Sequence, residues 1–217
     1  MPMPKSAELF YDIPLTDEQK KYANSCHDNI FTGCKARSGS GKTTVAVGVA
    51  KLRYEADKKN RVPLHYIFPT VEEGALGFTT GDVAQKESKY LIPLKDALVA
   101  IGEDPSRAII SPINEKYDTS WVHAYSHNYM RGGNIMNATV IIDEAQNLTK
   151  AELRKILTRC HDSCHVILIG DPNQCDIDPK KSGFIDYLNH YSTESYAFIC
   201  ELTRNFRGRL SAHAETL

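Results

Sequence analysis

In the stretch KARSGSGKTTVAV, Lys35 to Val47, a lysine follows two glycines and precedes two threonines, and the chain then turns apolar. Ala36, four residues, then Gly41-Lys42-Thr43 has the spacing of a phosphate-binding loop, with alanine where the first glycine usually stands. Gly39 and Gly41 let backbone N–H groups curl around an anion, and the positive end of the following helix adds to the attraction. In this reading Ser38, Gly39, Ser40, Gly41, Lys42, Thr43 and Thr44 cradle ATP. Lys42 reaches the β and γ phosphates, and the Thr43 hydroxyl ligates Mg²⁺.

Such a loop needs a carboxylate partner, and VIIDEAQN supplies one. An apolar strand ending in Asp143 puts an acid where it holds Mg²⁺, partly through water, while Glu144 orients or polarises the attacking water. The adjacent pair favours hydrolysis over simple binding. A third stretch, GDPNQCD, places Gln174 at a strand end facing the same crevice, positioned to sense the γ-phosphate. Upstream, LTDEQKKYANS puts Gln19 in a short helix, where an amide can read the donor and acceptor edges of adenine. The run RCHDSCH invites a zinc reading. Cys160 ends a predicted helix and His165 begins a strand, however, so the four side chains need not converge.

These residues must be positioned by a sheet. NIFTGCK, LHYIFPT, NATVIID, HVILIGD and YAFICEL are short apolar runs that enter turn chemistry, as buried parallel strands do. Helical patterns at Thr43 to Lys58, Lys86 to Ile101 and Thr149 to Cys160 alternate with them, giving an α/β doubly wound sheet with its site at the carboxyl ends of the strands. The length, 217 residues, suits a single domain over 1–217. Residues 71–137 separate two core strands by more than a simple crossover needs. They read either as an insertion carrying partner contacts or as a crossover with helices of its own. Twenty-six Lys and Arg against twenty-seven Asp and Glu leave a formal charge of -1, so a nucleic-acid partner needs a local patch. No window reaches the roughly 18 apolar residues of a membrane span. Six cysteines in a chain without an export signal read as reduced thiols, and the expected location is the cytoplasm.

Taken together, SGSGKTT, FPTVEEGALGFTTGDVAQKESKYLIPLKDAL, YMRGGNIMNATVIIDEAQNLT, LTRC and GDPNQCDIDPKKSGFIDYL resemble the PhoH family of phosphate starvation-inducible ATPases, in a short form like those of phage genomes. The likeness runs from about Gln19 to about Arg207. It departs at Ala36-Arg37, where the family usually has Gly-Pro, at IFPT, which lacks a preceding arginine, and at RNFRGRL, which lacks the usual Arg-His. The resemblance implies a RecA-like P-loop NTPase fold with a mostly parallel sheet flanked by helices, like the first motor domain of superfamily-one helicases. It also implies Mg²⁺-dependent ATP hydrolysis coupled to single-stranded RNA or DNA, in a bacterial or phage-infected cytoplasm.

Helicases of that type hydrolyse ATP between two motor domains, and this chain has room for one. The arginine that completes the transition state is therefore expected from another copy, in a homo-oligomer for which the family suggests a hexameric ring. Arg207, Arg204 and Arg209 are the candidates, with Arg207 preferred for its place in NFR. A ring offers a channel, where WVHAYSHNYMRGG with Arg131 and Lys89 suits stacking and phosphate contact, although packing explains such aromatics equally well. Two rival readings are a thymidine-kinase-like P-loop kinase, which usually carries paired CxxC motifs absent here, and a nucleic-acid-binding module without significant turnover. Glu144 argues against the second.

Overall fold

The computed structural model describes residues 10–70, 88–110, 120–130 and 133–214. Six strands form one parallel sheet: β1 (Phe31–Ala36), β2 (Leu64–Phe68), β3 (Val122–Ser126), β4 (Thr139–Ile142), β5 (His165–Gly170) and β6 (Ala197–Leu202), in the order β3-β2-β4-β5-β1-β6. The helices are α1 (Asp17–Asp28), α2 (Lys42–Ala56), α3 (Ile92–Ala100), α4 (Pro105–Ala108), α5 (Lys150–Leu157), α6 (Phe184–Tyr191) and α7 (Arg209–Ala214).

Side chains alternate across a strand, so a sheet covered on both faces needs two apolar sets. Strand β5 shows both: Ile167 and Ile169 join a core with Tyr22 of α1 and Val45 and Val49 of α2, whereas Val166 and Leu168 join a second core with Leu153 of α5 and Phe184 of α6. The result is three layers, helix on sheet on helix.

The expected α/β architecture is present, and five of its strands fall where the apolar runs place them. The expected helices shorten to α2, α3 and α5, and one 3-10 turn, Lys89–Leu91, precedes α3. Strand β3 is not among the expected runs. It lies within 71–137 and extends the sheet by pairing with β2, Tyr66 opposite Ala124. Residues 71–87, 111–119 and 131–132, which include Arg131, lie outside the described residues. Trp121 is 1% exposed and stacks on Tyr54 at 5.4 Å, so its ring belongs to the core. Tyr129 stays exposed. No helix among the described residues is long and apolar enough to cross a membrane.

Helices α5 and α6 meet closely at their starts. A Cβ on Gly183 would lie 2.7 Å from both the N and Cα of Lys150, backbone atoms that cannot swing aside. Gly183→Ala is therefore expected to destabilise the fold by roughly 1–3 kcal/mol, the usual cost of overpacking, as measured by denaturant unfolding. An unchanged midpoint would show that the two helix starts can part.

Candidate functional site

The carboxyl ends of β4, β5, β1 and β6 are neighbours in the sheet, so the segments that follow them lie side by side. After β1 the chain turns through Gly39 and Gly41, with φ of 67° and 77° in the left-handed region that glycine tolerates. Gly41 is also the N-cap of α2 and supplies no side-chain cap, which leaves that helix start open to an anion. Gln19 braces the turn from α1: its Nε2 donates to the Ser40 carbonyl at 2.9 Å, while its Oε1 accepts from Thr16 N in a capping box. Both ends of the Gln19 amide are thus bonded within the chain, and 6% of its surface is exposed.

Lys42 and Thr43 occupy the first turn of α2 and are almost buried. Thr43 Oγ1 donates to Asp143 Oδ2 at 2.8 Å, across a hundred residues of chain. Lys42 Nζ lies 3.4 Å from Glu144 Oε1. Ser38 is buried as well, and Thr44 is half-buried.

Asp143 is fully buried directly after β4, where its N–H bonds the Ile67 carbonyl. It accepts from Tyr66 Oη at 2.6 Å and from Glu144 N at 2.9 Å. Burial pushes its carboxyl above the usual carboxylate range and the Glu144 charge adds to that, while Lys42 and the Tyr66 and Thr43 hydroxyls pull the other way. Burial also pushes the Tyr66 phenol well up, with the Asp143 charge second, so it stays a donor. A buried acid beside a second acid, with a threonine hydroxyl on it, suits a divalent cation, which would relieve the charge that burial disfavours.

Glu144 adopts φ 50°, ψ 39°, a strained backbone for a residue other than glycine. Gln146 explains how its carboxylate is held. This amide is 1% exposed; its Nε2 donates to Glu144 Oε2 at 2.6 Å and to the Gln174 carbonyl at 3.1 Å, and its Oε1 accepts from Asp171 N. Asp171 in turn accepts from Ser38 N at 3.1 Å. Gln146 and Asp171 thus knit the segments after β4, β5 and β1 together. Gln174 enters this network through its backbone, and its side chain is exposed at the loop surface.

The sequence reading missed Gln146 and Tyr66, and it put Asp171 at the crevice without a role of its own. Gln146 stands inside DEAQ, where only the acids drew notice, and Tyr66 reads as one more apolar strand residue.

Arg207 packs on the loop of its own chain. Leaving β6, the chain bends back across its own loop: Phe206 N donates to the Gly39 carbonyl at 2.9 Å, and Arg207 Nη1 donates to Ser38 Oγ at 2.6 Å. Asn205 Oδ1 accepts from Arg207 N, and Thr203 is clamped by Glu18 of α1 at 2.8 and 2.9 Å. Those hydrogen bonds hold the Glu18 carboxyl below its usual range. Arg207 therefore lies against the loop of its own chain. Arg204 and Arg209 are exposed, with Arg204 stacked on Phe206 at 5.0 Å.

At RCHDSCH, the Cys160 and Cys164 thiols donate to the Ile156 and Ile135 carbonyls. Among the described residues no three metal-ligating side chains cluster.

A family profile described as "PhoH-like protein" matches residues 13–215. A PhoH-like protein of Synechocystis is 35% identical over 170 residues, which cover 77% of this chain and 49% of the relative. Protein PhoH of Escherichia coli is 30% identical over 186 residues, 84% of this chain and 50% of the relative. The chain thus spans about half the length of the curated relatives it matches. Among solved structures, the large terminase of a thermophilic bacteriophage aligns with a TM-score of 0.60 at 14% identity, covering 94% of this chain and 50% of that one. The same terminase in complex with ADP aligns at 0.56. At this identity the likeness shows the fold: a RecA-like P-loop NTPase.

Proposed function

From the premise that the chain belongs to the PhoH-like family, matched over residues 13–215, we propose that it is a Mg²⁺-dependent ATPase acting with single-stranded nucleic acid. The observation that carries this reading is one arrangement: Thr43 Oγ1 at 2.8 Å from buried Asp143, with Lys42 Nζ at 3.4 Å from Glu144. A pure binding loop does not require a second acid beside the first. The terminase that shares this fold is known with ADP bound, which supports a nucleotide as the ligand of this loop.

The open start of α2 and the turn at Gly39 and Gly41 receive the phosphates, and Lys42 leaves Glu144 for the β and γ oxygens. That exchange frees the Glu144 carboxylate to accept a proton from the attacking water as its oxygen bonds the γ-phosphorus and the bond to the β,γ-bridging oxygen breaks, releasing ADP and phosphate. Thr43 and Asp143 would hold Mg²⁺, which when bound supplies charge neutralisation at the phosphate oxygens. Gln19 keeps the loop in shape through Ser40 and meets adenine only if its amide is released. Gln174 lies at the edge, where closure of its loop would bring it to the γ-phosphate. Arg207, bonded to Ser38 in the loop, would turn from that hydroxyl to the same oxygens. In a ring of copies, the trans contact then falls to Arg204 or Arg209, and the cytoplasm of a bacterial or phage-infected cell is the setting.

The test is phosphate release from ATP with Mg²⁺. Wild type is expected to turn over, and Lys42→Ala to lose about 10²- to 10³-fold, the scale for removing one preorganised charge from a transition state. Binding of ATP without any hydrolysis by wild type would overturn the enzyme reading. Mass in solution with a non-hydrolysable ATP analogue tests the ring.

A further inference from the structure

We propose that the groove between α5 and α6, on the sheet face opposite α2, is a binding track for a single-stranded polynucleotide. The groove encloses about 880 Å³ and is lined by Lys150, Arg154 and Lys155 on one wall and by Tyr187 and His190 on the other. Its one acid, Asp186, is neutralised by Lys150 at 2.7 Å. Arg154 and Lys155 are exposed and make no ion pair among the described residues. Two unspent cations in one groove of a chain whose formal charge is -1 form a local patch.

Charge separates this groove from another large cavity among the described residues. That one, about 710 Å³, gathers Lys51, Lys58, Arg61 and Arg107 but also Glu55, Glu103 and Asp104. Its Lys51 is already shared between Glu55 at 3.3 Å and Glu103 at 2.8 Å. A polyanion gains little there.

Aromatic groups identify the kind of polyanion. Tyr187 lies 6.3 Å from Tyr191, which stacks on Phe31 at 4.0 Å, and Tyr196 stands on the far side, 41% exposed. This row leads from the basic groove to a smaller cavity of about 270 Å³ lined by Tyr191, Tyr196 and His161. Cations along a groove with anchored, partly open rings beside them are what a single strand needs: phosphates on one wall, stacked bases on the other. A duplex hides its base faces and a folded acidic protein has none to stack.

The track also adjoins the proposed ATPase site. Helix α5 starts three residues after Asn147, and Gly183 N, at the start of α6, donates to the Leu148 carbonyl at 2.9 Å. A strand drawn between α5 and α6 therefore pulls on both segments that Gln146 joins. The strand is the partner that the proposed function names, and the coupling rests in addition on the ATPase reading, so loss of binding and loss of hydrolysis are separate outcomes.

Binding is measured without ATP or Mg²⁺, by fluorescence anisotropy of labelled oligouridylate and oligothymidylate at several salt concentrations. Arg154→Glu with Lys155→Glu is expected to weaken binding at least tenfold. It should also reduce the slope of log affinity against log salt by about 1.4, two single-strand phosphate contacts at ~0.7 each. Tyr187→Ala is expected to cost about tenfold and Tyr187→Phe little, because the ring rather than the hydroxyl stacks. All these side chains reach the surface, and thermal melts check that the variants fold. Wild type without affinity for either oligonucleotide would overturn the proposal, as would an equal loss from Lys58→Glu with Arg61→Glu in the other cavity. Loss with the charge reversal but none with Tyr187→Ala would mark a general polyanion patch and overturn the single-strand assignment.

Discussion

Replacing Arg207 by alanine is expected to slow phosphate release by about 10³-fold, the lower end for an arginine that meets the transition-state charge. The sharper result concerns which copy it serves. Arg207 Nη1 is 2.6 Å from Ser38 Oγ of the same chain, held there by the backbone bond from Phe206 to Gly39 and by Asn205. If each site uses its own Arg207, mixing Arg207→Ala with Lys42→Ala restores nothing, because no copy holds a complete set. If the arginine crosses to a neighbour, the Lys42→Ala copies lend theirs to intact loops and the mixture recovers activity. Recovery in the mixture would return Arg207 to the role the sequence suggests. ATP binding by Arg207→Ala should persist, since Lys42 and the loop amides remain.

Why the sequence left the path of Arg207 open is physical. Motif spacing fixes which residues share a strand end, because a parallel strand delivers its last residue to a known edge; Lys42, Thr43, Asp143 and Glu144 are legible in that way. It does not fix where an exposed arm travels after its strand. The path of residues 203–208 depends on Glu18 holding Thr203 and on Gly39 accepting from Phe206, contacts between segments far apart in sequence. Gln146 was hidden for the same reason: its partners, Asp171 and the Gln174 carbonyl, come from the next strand's loop.

The sheet divides similarly. The apolar runs from β1, β2, β4 and β5 announce strands buried on both faces, and β6 is nearly as clear. Strand β3 sits at the edge beside β2, so VHAYS needs only part of its surface covered; His123 and Tyr125 there are half-buried. Its mixed polarity reads as a loop. Of the aromatic residues in the stretch that seemed suited to stacking, the core takes Trp121 and leaves Tyr129 exposed.

Glu144→Gln separates catalysis from binding most cleanly. The amide keeps the size of the side chain and can still accept from Gln146 Nε2, so the strained backbone at φ 50° has no reason to relax. It cannot serve as a base. Phosphate release is expected to fall by about 10²- to 10⁴-fold, the range for a lost general base. Nucleotide affinity should hold or rise. Lys42 loses a competitor 3.4 Å away, and Asp143 loses the neighbouring charge that helps push its carboxyl up, so it is ionised more fully for a cation. Measured side by side, single-turnover hydrolysis and binding of a fluorescent ATP analogue decide the matter. Hydrolysis lost with binding kept assigns Glu144 to the reaction. If both fall together, its chief work is holding Lys42 and the loop in place, and the attacking water must be oriented from elsewhere.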